Sequence, residues 1–281
     1  VSRGLGDVYK RQYDDRGNKI SEVYANGAKK TYEYNSRNLV VKTQSYDKEG
    51  TKTLISRYRY DDYGQLLEMT DYRVSSETET AYRHTEYTYD QRGRITAFAE
   101  ISQNAQPTAD DIKAHQIRYT YNKDGNLSKV SYPTTKDGIQ SLSYIYDENG
   151  WLQEIKGELH SKGQTTEKVL RSYTYDTFGR LVKTVTTDYK KNDQTKTITY
   201  TYDNVGNRLK EDDGTTTISY TYNGLDQLKT STKEKGTAVE EVRQYDYDMN
   251  GNQTDVKNTK TGENQTYVYL SLIHISEPTR H

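Results

Sequence analysis

The sequence contains no cysteine, so it supplies neither a disulfide framework nor a thiolate site. That absence leaves the compartment open, since a cytoplasmic chain and an extracellular bacterial chain held by β-pairing both dispense with cysteine. No run of about 18 apolar residues occurs, so this piece has no membrane-spanning helix. Charge of one sign is missing as well. Forty Lys and Arg face 41 Asp and Glu, for a net charge of −1 without a basic block, which argues against nucleic acid as the main partner. His-Glu-x-x-His, Gly-x-Ser-x-Gly and P-loop spacings are all absent. His84, His115 and His160 each stand alone and read as structural or surface residues. No catalytic residue, metal ligand or cofactor site is assigned, and the chain is expected not to be an enzyme.

Apolar residues are also scarce. Hydrophobic residues make up 31% and charged residues 29%, a balance that leans toward disorder. Against this stand 29 tyrosines, beside two Phe, one Trp and two Met, so tyrosine is the expected core-former. A tyrosine burying roughly 150 Å² contributes on the order of 3–4 kcal/mol gross, as an upper bound. The composition predicts a thin, long core.

The tyrosines are periodic. A Tyr-Asp or Tyr-Asn step opens at Tyr13, Tyr34, Tyr60, Tyr89, Tyr121, Tyr146, Tyr175, Tyr202, Tyr222 and Tyr247, every 20 to 32 residues. Self-similarity at such a period signals a repeat architecture. In most copies a second tyrosine stands two residues earlier, as at Tyr58, Tyr87, Tyr119 and Tyr173, and both then face one side of a strand. Gly follows three places after the Asp, and Asp-x-x-Gly reverses the chain. The Asp side chain caps backbone N–H groups just ahead, and Gly takes the positive φ that closes the turn. Asn38 and Asp226 replace Gly with the residues next best suited to that conformation.

Six copies define the motif: Tyr60, Asp61 and Gly64; Tyr89, Asp90 and Gly93; Tyr121, Asn122 and Gly125; Tyr146, Asp147 and Gly150; Tyr175, Asp176 and Gly179; Tyr202, Asp203 and Gly206. All are read as structural. Asn at 35, 122 and 223 keeps the capping oxygen but removes the charge that catalysis or Ca²⁺ binding would use.

After the turn come apolar residues three apart, such as Ile20 and Val23, Leu66 and Met69, or Ile95 and Phe98. Three is odd, so either a β-bulge follows the Gly or both faces are partly covered. The returning strand ends at looser turns such as Asn26-Gly27 and Asp213-Gly214. Each repeat is thus one hairpin, and ten repeats give roughly twenty strands. Residues 102–117 interrupt the pattern as an inserted loop or short helix, with Thr108 as N-cap and Asp110 and Asp111 in the first turn.

The two ends stand apart. A permitted coding sequence for Asp7–Gln12, GATGTGTATAAGAGACAG, has a reverse complement that encodes Leu270–Ile275, and Ser2–Gly6 relates in the same way to Ser276–Arg280. Residues 1–12 and 270–281 are therefore read as adapter-derived, non-native scars. Residues 13–269 are then about ten repeats cut from something longer.

Tyr173-Thr-Tyr-Asp-Thr-Phe-Gly-Arg-Leu181 is similar to the YD repeat of the Rhs family. Tyr200-Thr-Tyr-Asp-Asn-Val-Gly-Asn-Arg-Leu209, followed by Tyr220-Thr-Tyr-Asn-Gly-Leu-Asp-Gln-Leu228, resembles the Rhs and wall-associated proteins of bacteria. The same repeat occurs in the shells of Tc toxin complexes and in teneurins. The resemblance implies an all-β fold, with tandem hairpins in a long antiparallel sheet that spirals into a shell. It implies a secreted or cell-surface protein, a structural wall around its own C-terminal toxin cargo, and delivery of that toxin to competing cells. The alternative it carries is a surface adhesin whose partners are cell-surface glycans. Toxin-releasing Rhs shells have a Pro-containing autoproteolysis motif after the last repeats. With prolines only at 107, 133 and 278, this piece is expected to stop short of it.

Overall fold

The computed structural model describes residues 8–102, 107–134 and 137–269. Among them are twenty-one strands and one six-residue helix. The chain divides into two compact units, Val1–Tyr144 with Gly157–Lys168, and Ile145–Lys156 with Val169–His281.

Unit 1 holds β1 (Val8–Tyr13), β2 (Lys19–Tyr24), β3 (Lys29–Tyr34), β4 (Val40–Tyr46), β5 (Lys52–Tyr60), β6 (Leu66–Ser75), β7 (Thr78–Tyr89), β8 (Ile95–Ser102), α1 (Ala109–Ala114), β9 (Gln116–Tyr121), β10 (Leu127–Ser131) and nearly all of β11 (Gly138–Tyr146). From β1 to β11 every strand pairs antiparallel with its sequence neighbours. Next come β12 (Leu152–Ser161) and β13 (Gln164–Tyr175), whose residues 157–168 count with unit 1. Unit 2 continues with β14 (Leu181–Asp188), β15 (Gln194–Tyr202), β16 (Arg208–Asp212), β17 (Thr216–Tyr222), β18 (Leu228–Lys235), β19 (Ala238–Tyr247), β20 (Gln253–Asn258) and β21 (Asn264–Thr266). From β13 onward it too is an antiparallel meander.

Within each unit the strands contact little besides their hydrogen-bonded neighbours; α1 against β8 is the added contact. The buried hydrophobic residues, Ile55, Ala81, Ala97, Ala99, Ile101, Val130 and Leu159, lie wholly in unit 1. No described residue of unit 2 is buried.

Two expectations need correction. Among the residues whose burial is described no tyrosine is buried; Tyr89, Tyr121, Tyr175 and Tyr202 are half-buried. A single layer covers each ring from the side, by its neighbours in the sheet, and leaves an outer face wet. The chain also reverses at Tyr46-Asp47-Lys-Glu-Gly50, which carries the Tyr-Asp-x-x-Gly pattern outside the ten repeat steps. It joins β4 to β5 at the looser-turn edge, so the motif fixes the turn and not the edge on which it sits.

The interruption is helical. Thr108 caps α1 in a reciprocal box with Asp111, and Asp110 and Asp111 occupy the first turn. At the start, β1 includes Val8–Gln12 of the segment read as adapter-derived. An open sheet edge is template enough to order such residues as a strand. Leu270–Ile275 lies outside the described residues.

Candidate functional site at the repeat turns

Each repeat turn is built by one carboxylate or amide. Asp61 Oδ1 accepts from the N–H groups of Tyr63 and Gln65, at 2.9 and 2.8 Å. Asp90 does the same with Arg92 and Arg94, Asp147 with Asn149 and Trp151, Asp176 with Phe178 and Arg180, and Asp203 with Val205 and Asn207. Asn122 supplies the same oxygen to Asp124 and Asn126. The fourth residue donates its N–H to the carbonyl of the first in every one of these turns. It holds positive φ as Gly64, Gly93, Gly125, Gly150, Gly179 and Gly206, and Asn38 and Asp226 hold it in the same place. Asp90 is held below the usual carboxylate range, first by the Arg94 side chain and then by the Arg94 N–H.

Bulges settle the odd spacing after the turn. Tyr60 faces Leu66, Arg59 faces Glu68 and Tyr58 faces Met69, so Leu67 is the extra residue. That slip restores parity and puts Leu66 and Met69 on the face of the tyrosine pair. Ile95 and Phe98 face Tyr89 and Tyr87 in the same way, as Leu127 and Val130 face Tyr121 and Tyr119. In the first repeat Lys19 faces Tyr13, so Ile20 is itself the bulged residue and is exposed, contrary to its expected pairing with Val23.

The residue facing each second tyrosine has a further role. Its carbonyl accepts from the tyrosine hydroxyl of the following repeat. Tyr34 donates to Lys19, Tyr60 to Val40, Tyr89 to Leu66, Tyr121 to Ile95, Tyr175 to Leu152, Tyr202 to Leu181, Tyr222 to Arg208 and Tyr247 to Leu228, all at 2.8–2.9 Å. Burial raises the phenol pKa of Tyr60, Tyr89, Tyr175 and Tyr202. This chain of bonds seams one hairpin to the next.

A second seam runs along the turns. At Arg94, Arg180 and Asn207 the residue after the Gly reaches back to its own capping side chain and forward to the next turn. Arg94 binds Asp90 Oδ2 and the Gly125 carbonyl, and stacks over Tyr121 at 4.2 Å. Arg180 binds Asp176 and the Asp203 carbonyl and lies over Tyr202. Asn207 links Asp203 to Asp226. Trp151 covers Gly179 and packs on Tyr175 with ring centroids 5.5 Å apart.

Clefts open between neighbouring turns. One of about 760 Å³ is lined by Tyr63, Gln65, Leu67, Tyr89 and Asp90. Its repeat-equivalent in unit 2, about 500 Å³, is lined by Asn149, Trp151, Gln153, Tyr175 and Asp176. Both take the same places of the repeat, including the bulge position.

Several buried polar groups of unit 1 are paired, whereas the buried Thr85 Oγ1 has no hydrogen-bond partner. Asp71, 1% exposed, accepts from Ser56 Oγ and from Arg83 directly opposite it. Glu22 accepts from Lys19, Tyr32 and Tyr24; although burial opposes it, these donors bring its pKa down to about 2. His84 is buried against Thr70 Oγ1, between Glu68 and Glu86. His160 meets Thr165, and His115 ends α1. No group of three or more His, Asp or Glu among the described residues is placed to hold a metal ion, and no described helix is long and apolar enough to cross a membrane.

The teneurin YD-shell family covers residues 9–274. The chain belongs to this family. YD-shell relatives include the tRNA3(Ser)-specific nuclease WapA of Bacillus spizizenii and the tRNA nuclease WapA of Bacillus subtilis. Each is 26% identical over 220 residues, a match that takes in 70% of this chain and 9% of the relative. The chain thus spans about a tenth of those proteins. The YD-shell fold is also seen in the crystal structure of TcdB2-TccC3-TEV, with a TM-score of 0.50 and 16% identity over 95% of this chain and 16% of that one. The fold is all-β, tandem YD hairpins in antiparallel sheet, and its role is that of a structural shell element.

Proposed function

We propose that these hairpins form part of the wall of a secreted bacterial shell that encloses a toxin carried on the same polypeptide and delivers it to competing cells. The double seam supports this reading: successive hairpins are tied through tyrosine hydroxyls, and several also through turn contacts, as an enclosing wall requires. The nuclease names of the WapA relatives support a nucleic-acid-cleaving cargo, encoded outside the repeats. Residues 1–12 and 270–281 are proposed to be adapter-derived, so the source locus carries the answer. Long-read sequencing should show further YD repeats, a protease motif and an unrelated C-terminal domain. In the full-length protein that domain should resist added protease until the shell is opened. A locus without any domain beyond the repeats, or a cargo cleaved as fast as its isolated form, refutes the proposal.

A second reading rests on the clefts. Tyr63 is 90% exposed beside Gln65, and Trp151 lies beside Gln153 and Asn149, pairings of ring and amide that suit a sugar face. Specific glycan-array binding lost in Tyr63→Ala, with the fold intact, would favour a cell-surface adhesin.

A further inference from the structure

Asparagine followed by glycine is the step at which a chain most readily turns an amide into an acid, because a residue without Cβ lets its nitrogen approach the asparagine side chain. The sequence has four such steps, Asn26-Gly27, Asn149-Gly150, Asn223-Gly224 and Asn250-Gly251. In three of them the glycine nitrogen is occupied. The N–H groups of Gly27, Gly150 and Gly251 close turns on the carbonyls of Tyr24, Asp147 and Asp248, at 2.9, 3.0 and 3.0 Å. Gly224 stands elsewhere in its turn, directly after the capping residue, and the closing donor there is Asp226. Among the described residues the Gly224 N–H donates to no acceptor. Gly224 is exposed, and a Cβ built on it would meet nothing within 4 Å. The turn does not call for glycine at that place, which Ser36, Asp62, Gln91 and Lys123 fill in other repeats.

The amide that this nitrogen would attack is held by its own turn. Asn223 Oδ1 accepts from the N–H groups of Leu225 and Gln227 at 2.9 and 3.0 Å, and Nδ2 donates to Gln227 Oε1 at 2.8 Å. Two backbone donors on one oxygen polarise the amide carbon and stabilise the charge that attack places there. Asn35 and Asn122 have the same oxygen contacts, but Ser36 and Lys123 follow them. Of the four Asn-Gly steps, only Asn223-Gly224 joins a doubly held amide oxygen to a free glycine nitrogen.

We propose that Asn223 is a site of spontaneous deamidation in the folded chain. A base takes the Gly224 amide proton and the nitrogen bonds to Asn223 Cγ. The Cγ–Nδ2 bond then breaks, and the nitrogen leaves as ammonia with that proton. Water opens the resulting succinimide, at Cγ to give Asp or at the backbone carbonyl to give isoaspartate. Asp suits the turn. Asp61 already caps the equivalent one, with Gln65 Nε2 donating to its Oδ2 at 2.8 Å, and Gln227 reaches that arrangement by turning its amide over. Isoaspartate instead routes the backbone through the side-chain carbons, so the cap is lost next to Tyr222, whose hydroxyl bonds the Arg208 carbonyl. One product keeps the usual repeat turn, and the other breaks the hairpin of β17 and β18.

Peptide mapping by mass spectrometry on the whole folded chain, aged in mildly alkaline buffer, tests this. A hydrogen bond that must open before the nitrogen reacts slows the step by roughly two- to tenfold. The Asn223 peptide should therefore convert at least that much faster than those holding Asn26, Asn149 and Asn250. In concentrated urea the four rates should converge, because the turns that set them apart are gone. Gly224→Ala should slow conversion at Asn223 while the chain still folds, since φ at 224 is not positive. The ordering of the four rates is read in the unchanged chain, so it stands whether or not that variant folds. Equal rates at the four sites in the folded chain, a lag at Asn223, or fast conversion that survives in a folded Gly224→Ala variant would each overturn the proposal.

Discussion

Gly179→Ala isolates the seam along the turns from the backbone demand of the turn. Gly179 and Gly150 have φ of +80° and +81°, so an alanine at either meets the same left-handed penalty. That penalty is about 1 kcal/mol or more, partly offset by about 0.4–1 kcal/mol from the stiffer unfolded chain. Their surroundings differ. A Cβ on Gly150 meets nothing within 4 Å, whereas one on Gly179 falls 2.6 Å from Trp151 Cζ2 and 3.1 Å from Cε2. The indole must then swing away and give up its packing on Tyr175, a ring pair worth about 0.5–1.5 kcal/mol. Lost cover over the turn adds to this, so Gly179→Ala should cost about 1–2 kcal/mol more than Gly150→Ala. In a Trp151→Leu background the excess should shrink by about 1 kcal/mol, a coupling that a double-mutant cycle reads directly. Urea unfolding followed by far-ultraviolet circular dichroism suits the cycle, because it needs no tryptophan signal. Equal costs for the two glycine variants, or an undiminished excess without the indole, would refute the seam.

The tyrosine seam predicts that Tyr121→Phe, which strands the Ile95 carbonyl, costs about 1 kcal/mol, while Tyr119→Phe costs clearly less; equal losses in urea melts would contradict it. Alkali should unfold the chain. Phenols such as Tyr60, Tyr89 and Tyr202 have raised folded pKa values, so their contribution is complete below about pH 10 and is lost as pH climbs through the folded values. A tyrosinate titration at 295 nm that matches free tyrosine would count against this. Acid acts with the opposite sign. Asp90, Asp176 and Asp248 have lowered folded pKa values, so their contribution is complete above about pH 4 and fades as pH falls through the folded values. Asp90→Asn should keep the cap but shallow the acid transition, and an unchanged transition would exclude Asp90 from it.

Much of this was legible in the chain because the repeat chemistry is local. Asp-x-x-Gly needs only its own five residues, so the turns, the strand pairs and the count of about twenty strands follow from spacing alone. The bulge was open because parity could be restored in two ways, and only the register of Leu66 and Met69 against the tyrosines decides between them. Ser76 and Glu77 both hold positive φ without Gly or Asn, so that turn left no mark in the sequence and is imposed by the strands it joins. The forward reach of Arg94 and Arg180 was missed for another reason: their partners sit in the next repeat, 31 and 23 residues away. The signal was present in the recurring Gly-Arg step. The concentration of buried residues in unit 1 had no such signal, because Ala97 and Ala99 are small and covered by neighbours rather than hydrophobic in their own right.

The direction of the tyrosine bonds bears on how the chain folds as it is made. Every hydroxyl points backward, from a later hairpin to a carbonyl of the one before it, across 14 to 26 residues. Closing such short loops is quick and entropically cheap, so contact order stays low despite the all-β content. Each hairpin leaving the ribosome finds its acceptor already in place, and none must wait for sequence not yet synthesised. A wall assembled in this order grows from its N-terminal end, and at any moment exposes one unfinished edge to aggregation.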